Sequence, residues 1–229
     1  MYPPTLTVVI ITQNEAPQLD RCLASLALQR RKDFEVLVID IANDRQTTDT
    51  VVQAQHDYPV PLRLETTLRP TPHGAARALA VQTATADSIA FLSPWVRPEA
   101  DWTHRAIESL RLADIVHGRD LHIPTALERV AAATRRVVET FHPSGTHPDA
   151  SDATVVYRKD FLLDHPFDPA AETATTLDRD QARRAVMTGH RVVHDPSLIV
   201  RRDERTPETR RVVSASPSPM TERPSEGTS

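Results

Sequence analysis

Residues 7–26 read TVVIITQNEAPQLDRCLASL, and residues 34–40 read FEVLVID. Thr7 to Thr12 is a β-branched run stopped by Gln13, Asn14 and Glu15, and Phe34 to Ile39 repeats the pattern ahead of Asp40, Ala42, Asn43 and Asp44. Runs that are apolar at almost every position, not at alternate ones, suit strands buried on both faces of a parallel sheet. Leu19, Leu23, Leu26 and Ala27 recur between them at helical spacing. The stretch is therefore a β-α-β unit, and the expected class is α/β.

Outward from that unit the alternation continues. The pattern predicts a helix over 48–56, a strand over 62–66, a helix over 75–83 and a strand over 88–92. A further helix opens at Pro98 and carries Trp102, Ile107 and Leu110, and a strand follows over 114–118. Thr125 and Glu128 have capping-box spacing, which predicts a helix to about Phe141. Residues 142–152, with Pro143, Gly145 and Pro148, form a loop, read as a lid or a disordered excursion. Strands over 155–158, 192–194 and 198–200 and a helix over 178–188 closed by Gly189 complete residues 1–205 as one domain. Residues 206–229 are rich in Pro, Ser, Thr, Glu and Arg and read as a disordered tail.

Composition narrows the function. Against 27 basic residues stand 31 acidic ones, a net charge of -4, so no global field recruits nucleic acid. The longest apolar runs fall far short of the roughly 18 residues a membrane span needs, and no export signal opens the chain, so a cytoplasmic protein without a membrane span is expected. One cysteine, Cys22, excludes an internal disulfide and a cysteine-cluster zinc site, and reads as a small apolar residue on a helix face. The five glycines, at 74, 118, 145, 189 and 227, make neither GxGxxG nor GxxxxGK. His190 and His194, four apart beside Asp195, read as surface residues, as do His142 and His147.

In an open α/β sheet, ligands bind beyond the carboxyl ends of the strands. That rule selects Thr12, Asn14 and Glu15 after the first strand, Asp40 and Asn43 after the second, and Ser93 to Trp95 after the fourth. Residues 7–26 and 34–40, followed by GAARALAVQTATADSIAFL (74–92), by Phe167 to Pro169 and by ARRAVMTGHRVVHDPSLIV (182–200), resemble the family 2 glycosyltransferases in their order over about residues 5–202. The resemblance implies the GT-A fold, a Rossmann-like, mostly parallel sheet with helices on both faces, and a nucleotide-sugar donor of UDP or GDP type. It implies that Thr12 and Asp40 hold base and ribose, that Arg77 lies near the nucleotide, and that Asp178 is the general base of an inverting transfer. A guanidinium forks onto phosphate and a carboxylate accepts from base or ribose donors. The bland readings stay open beside these: a strand-end turn for Asp40, a solvated helix residue for Arg77 and a helix cap for Asp178.

The departures carry as much weight. Where the family places a DXD-type cluster for a divalent cation, this chain reads Ser93, Pro94, Trp95. Where it often places a metal-binding His near the last strand, the chain has Arg201 and Arg202. A hydroxyl, an imide nitrogen and an indole do not coordinate a hard oxygen-seeking ion. The expectation is no firmly bound divalent metal, with Arg201, Arg202 and Arg77 as the cations facing the leaving diphosphate, or else Arg201 and Arg202 as a solvated strand end. Trp95 stacks on a ligand or fills its place. The alternative function is a catalytically inactive homologue that serves a protein partner.

Overall fold

The computed structural model describes residues 3–67, 70–122 and 150–202. Its elements are β1 (Leu6–Thr12), α1 (Ala16–Ala27), β2 (Phe34–Asp40), α2 (Arg45–Gln55), β3 (Leu62–Thr66), α3 (His73–Thr83), β4 (Ser88–Leu92), β5 (Val96–Pro98), α4 (Trp102–Ser109), β6 (Ile115–His122), β7 (Ala150–Arg158), α5 (Lys159–Asp164), α6 (Ala174–Met187) and β8 (Val192–Arg202). The helix expected over 125–141, His142, His147 and the tail from 206 lie outside the described residues.

The eight strands of the described residues form one sheet, in the order β3-β2-β1-β4-β7-β6-β8-β5. β1 runs parallel to β2 and β4, β2 to β3, and β6 to β8, while β7 is antiparallel to β4 and β6, and β5 to β8. Alternation along β1 explains its unbroken apolar run. Leu6, Val8 and Ile10 pack under α1, α2 and α4 with Leu19, Leu23, Val51 and Trp102, whereas Val9 and Ile11 pack under α3, α5 and α6 with Ala76, Phe161 and Leu177. Helices thus cover both faces of a mostly parallel, Rossmann-like sheet. Cys22 is buried on α1.

Chain order reverses at β1: β2 and β3 lie to one side of it and β4 to the other. The carboxyl ends of β1 and β4 therefore flank the crevice where such sheets take their ligands. A second constraint comes from residues 93–95, which join β4 to β5. Four residue steps from Leu92 to Val96 reach at most about 14 Å. Four strand spacings across a flat sheet need about 19 Å. The sheet accordingly curls, and β5 returns toward α1, where Gln29 Nε2 donates to the Glu99 carbonyl at 2.7 Å and Arg30 N to the Ala100 carbonyl at 3.0 Å.

Several boundaries differ from the sequence reading. β5 had no strand signal, being three residues ending in Pro98 at a sheet edge, so the helix expected from Pro98 starts at Trp102. The strands expected over 192–194 and 198–200 are one strand, with Pro196 at the point where the β6–β8 register slips. β7 starts at Ala150, inside the expected loop. α6 starts at Ala174, where Thr173 Oγ1 accepts from Thr176 N, so Asp178 lies in the second turn and does not cap the helix.

A buried carboxylate ties the amino edge of the sheet. Glu35 Oε1 accepts from Thr7 Oγ1 at 2.7 Å, Thr85 Oγ1 at 2.8 Å and Thr85 N at 2.9 Å, and Arg63 Nη2 lies 3.1 Å from Oε2. Burial alone raises the Glu35 pKa, but the bonds from Thr85 and Thr7 and the charge of Arg63 outweigh it and leave the pKa below its ordinary 4.5. A carboxyl whose folded pKa is depressed stabilises the fold above its unfolded pKa and loses that contribution as pH falls through the folded one. Glu35→Gln is therefore expected to cost about 1–3 kcal/mol near neutrality. Urea midpoints of parent and variant measured against pH should converge below pH 4.5; a gap that stays constant with pH would contradict the assignment.

Candidate functional site

Thr12 and Asp40 are register partners at the carboxyl ends of β1 and β2, both buried, and both on the α1 face of the sheet. Asp40 turns the chain into α2: Oδ1 accepts from Ala42 N at 3.0 Å and Oδ2 from Asp44 N at 2.7 Å, and Asp44 then caps α2 through Thr47 N. The turn reading of Asp40 is thus realised, while each carboxylate oxygen keeps a second lone pair for another donor. Thr12 differs, since its buried Oγ1 has no hydrogen-bond partner. A buried hydroxyl without a partner costs about 1–3 kcal/mol, which calls for a reason. Asn14 and Asn43, in the two loops beyond these strands, have φ of 58° and 55°, a left-handed backbone that Asn adopts more readily than most residues.

Trp95 and Glu15 close the β4 side of the crevice. Trp95 is 9% exposed, and its Nε1 donates to Glu15 Oε1 at 2.5 Å, while Glu15 Oε2 accepts from Gln13 N at 3.2 Å. The Glu15 carboxylate, which meets this segment at Trp95, is thereby engaged by an indole and a backbone amide. This donor set does not fit a divalent cation, and among the described residues no group of three or more His, Cys, Asp or Glu is placed to hold a metal.

Arg202 joins this side of the sheet. It is the register partner of Val96, the residue after Trp95, and Asp120 Oδ2 accepts from its Nε at 2.6 Å and its Nη2 at 2.5 Å. Arg201 points to the opposite face by strand alternation and meets Glu99 Oε1 at 2.5 Å. The structure therefore separates two neighbouring arginines that look alike in sequence.

Arg77 and Asp178 also lie on that opposite face, with each other. Arg77 Nη1 donates to Asp178 Oδ1, Nη2 donates to Oδ2 at 3.1 Å, and Tyr157 Oη donates to Oδ1 at 2.7 Å. Arg77 is 2% exposed and Asp178 3%, and the guanidinium carbon lies 4.4 Å from the Phe91 ring centroid and 5.2 Å from that of Phe167. Burial works against the charge on Arg77, yet Asp178 beside it raises its pKa, and burial followed by the Asp178 charge holds the Tyr157 hydroxyl protonated. His73, one turn before Arg77, has its pKa lowered by burial first and by Arg77 second, so it adds no charge near neutrality. Arg77 is neither solvated nor turned toward the crevice of Thr12 and Asp40; it holds Asp178. Sequence reasoning missed Tyr157, Phe91 and Phe167 because each sits inside or beside an apolar stretch, and it missed Asp120 because its partner is 82 residues away.

The description "Glycosyl transferase family 2" belongs to a family model that matches residues 7–158. Among solved structures the chain is similar to S. aureus TarS 1-349 in complex with UDP-GlcNAc, with a TM-score of 0.69 and 18% identity over 93% of this chain and 61% of that one. It is also similar to the mannosyltransferase PcManGT from Pyrobaculum calidifontis in complex with GDP-Man and Mn2+, with a TM-score of 0.66 and 18% identity over 93% of this chain and 60% of that one. The chain thus spans about three fifths of each, and at these identities the likeness establishes the fold. No curated protein matches it in sequence. Among the described residues, no helix is long and apolar enough to cross a membrane.

Proposed function

The chain belongs to glycosyl transferase family 2, and on that premise we propose that it binds a nucleotide sugar of UDP or GDP type in the crevice beyond β1 and β4 and transfers the sugar with inversion, without a firmly bound metal. The observation that carries the reading is the unpartnered, buried Oγ1 of Thr12 beside Asp40, at the point where strand order reverses. A hydroxyl and a carboxylate there take a base or ribose, and the cost of the orphan hydroxyl is offset when a ligand arrives. Arg202, held on Asp120 next to Trp95, is the cation on the diphosphate side. Asp178 takes the acceptor hydroxyl's proton as its oxygen attacks the anomeric carbon and the nucleoside diphosphate leaves with the electrons of the breaking C–O bond. Arg77 and Tyr157 act through Asp178 as positioning residues.

Thr12→Val tests donor binding with little steric change. The variant should be as stable as the parent or more so, because a buried unsatisfied hydroxyl is removed. It should bind UDP or GDP about tenfold more weakly by calorimetry, the loss of one good hydrogen bond. Binding should persist with chelator in place of manganese. No binding of any nucleotide or nucleotide sugar by the parent, in either condition, would end this reading.

One observation favours a second reading, the non-catalytic partner of an active transferase: both oxygens of Asp178 are engaged and the group is buried. Nucleotide binding without release of nucleoside diphosphate from any UDP- or GDP-sugar, across a panel of acceptors, selects this reading. Chelator-resistant turnover selects the first.

A further inference from the structure

Strand order leaves β3 and β5 at the two edges of the sheet. β5 is three residues long and ends in Pro98, and both features blunt an edge. β3 runs LRLET, five residues without a proline. Two bonds fix which of its backbone groups face outward. Val36 N donates to the Pro61 carbonyl at 2.9 Å and Thr67 N to the Asp40 carbonyl at 3.0 Å, so the odd-numbered residues from Pro61 to Thr67 face β2. The N–H and C=O groups of Leu62, Leu64 and Thr66 therefore point away from the sheet. Gln55 Nε2 reaches the Leu62 carbonyl at 2.9 Å, and among the described residues no strand pairs with this side.

The side chains carry a second pattern. Leu62 and Leu64 pack with the core on the α1 face, and Arg63 and Glu65 alternate to the α3 face. There Arg63 Nη2 donates to the Thr83 carbonyl at 2.8 Å and lies 3.1 Å from Glu35 Oε2, which anchors the guanidinium at the edge and leaves Nη1 without a bond among the described residues. Glu65 is half-buried and has no partner among them.

We propose that β3 pairs antiparallel with β3 of a second copy of this chain, about a two-fold axis at Leu64. A two-fold contact must be self-complementary, and this register is. Leu64 meets its own counterpart as a hydrogen-bonded pair, and Arg63 stands opposite Glu65 of the partner subunit at a non-hydrogen-bonded pair, where Cα atoms approach to about 4.5 Å and opposite charges stabilise. An axis at Leu62 or Thr66 would instead oppose Arg63 to Pro61 or Glu65 to Thr67. Gln55 need not leave, because the Leu62 carbonyl keeps a second lone pair. The axis sends the two carboxyl edges to opposite ends, so each copy keeps its own crevice, and the pairing does not depend on the donor reading.

Sedimentation velocity of the full chain over a series of concentrations should show a reversible monomer–dimer equilibrium, and hydrogen exchange at the Leu64 amide should slow as the dimer forms. Glu65→Arg places like charges opposite each other at both Arg63–Glu65 contacts and should weaken dimerisation at least about tenfold. Arg63→Glu should do the same alone. An equimolar mixture of the two variants should dimerise like the parent, since every contact then regains opposite charges. Leu64→Pro removes an outward N–H without touching the β2 ladder and should be monomeric. Asp20→Arg makes the same kind of charge change at an exposed position of α1 and should behave as the parent. Urea unfolding of each variant separates lost association from lost fold, which matters for Arg63→Glu because Glu35 loses its cation. A parent that stays monomeric at every concentration overturns the proposal; if its Leu64 amide exchanges slowly even so, the edge belongs to another segment of the same chain. A dimer indifferent to Glu65→Arg and Leu64→Pro overturns it too, as do two folded charge variants that fail to associate on mixing.

Discussion

Arg77→Met and Asp178→Leu should each unfold with about 3–5 kcal/mol less stability than the parent, while the double variant Arg77→Met/Asp178→Leu recovers most of the loss. The asymmetry follows from burial. Each single change strands an uncompensated buried charge, the Asp178 carboxylate in one case and, in the other, the Arg77 guanidinium packed against Phe91 and Phe167. Removing both charges leaves an apolar volume among aromatic rings, and the remaining cost is the Tyr157 hydroxyl, which loses its acceptor. Adding Tyr157→Phe should recover a further part. Urea unfolding of the four variants decides the matter: double-variant stability no better than the worse single would show that the cluster's value lies in shape and not in paired charge. The result also bears on the proposed function, in which Asp178 is the base and Arg77 and Tyr157 position it. Arg77→Met should therefore suppress any turnover even where the chain is kept folded by low temperature.

The sheet was legible because its signals are local. An unbroken apolar run such as Val8–Ile11 can be read without knowing its neighbours, and so can the Leu19, Leu23, Leu26 face of α1. β5 was not legible, since a three-residue strand ending in proline exists only because β8 offers it an edge. The site divides along the same line. Position after a strand selected Thr12 and Asp40, and the structure makes them register partners. Whether a polar side chain finds a partner depends on groups far away in sequence, and that decided the rest: Asp178 meets Arg77 from 101 residues away, and Trp95 meets Glu15 from 80. Arg201 and Arg202 are indistinguishable as letters, and strand parity alone assigns them to opposite faces.

Gly74→Ala should destabilise the chain by about 3 kcal/mol, near the upper end of what overpacking costs, although it adds one methyl and improves helix propensity. A Cβ on Gly74 would lie 1.8 Å from the Asp168 carbonyl oxygen, 2.9 Å from its carbon and 3.2 Å from the Pro169 carbonyl carbon. All three are backbone atoms, so no side chain can rotate away, and the segment is pinned further by the bond from Gly74 N to the Ala171 carbonyl at 2.9 Å. To make room, residues 168–169 must move off α3, and with them Phe167, whose ring lies against Arg77. The loss is thus expected to appear at the Arg77–Asp178 pair, as faster hydrogen exchange in the first turns of α3 and α6, before the rest of the sheet is affected. Gly189→Ala is the control: its φ of +81° carries a backbone cost, but nothing lies within 4 Å of the added atom, so about 1–2 kcal/mol is expected with α3 unchanged. If Gly74→Ala were no more destabilising than Gly189→Ala, the close approach of α3 to residues 168–169 could not be what brings Arg77 to Asp178.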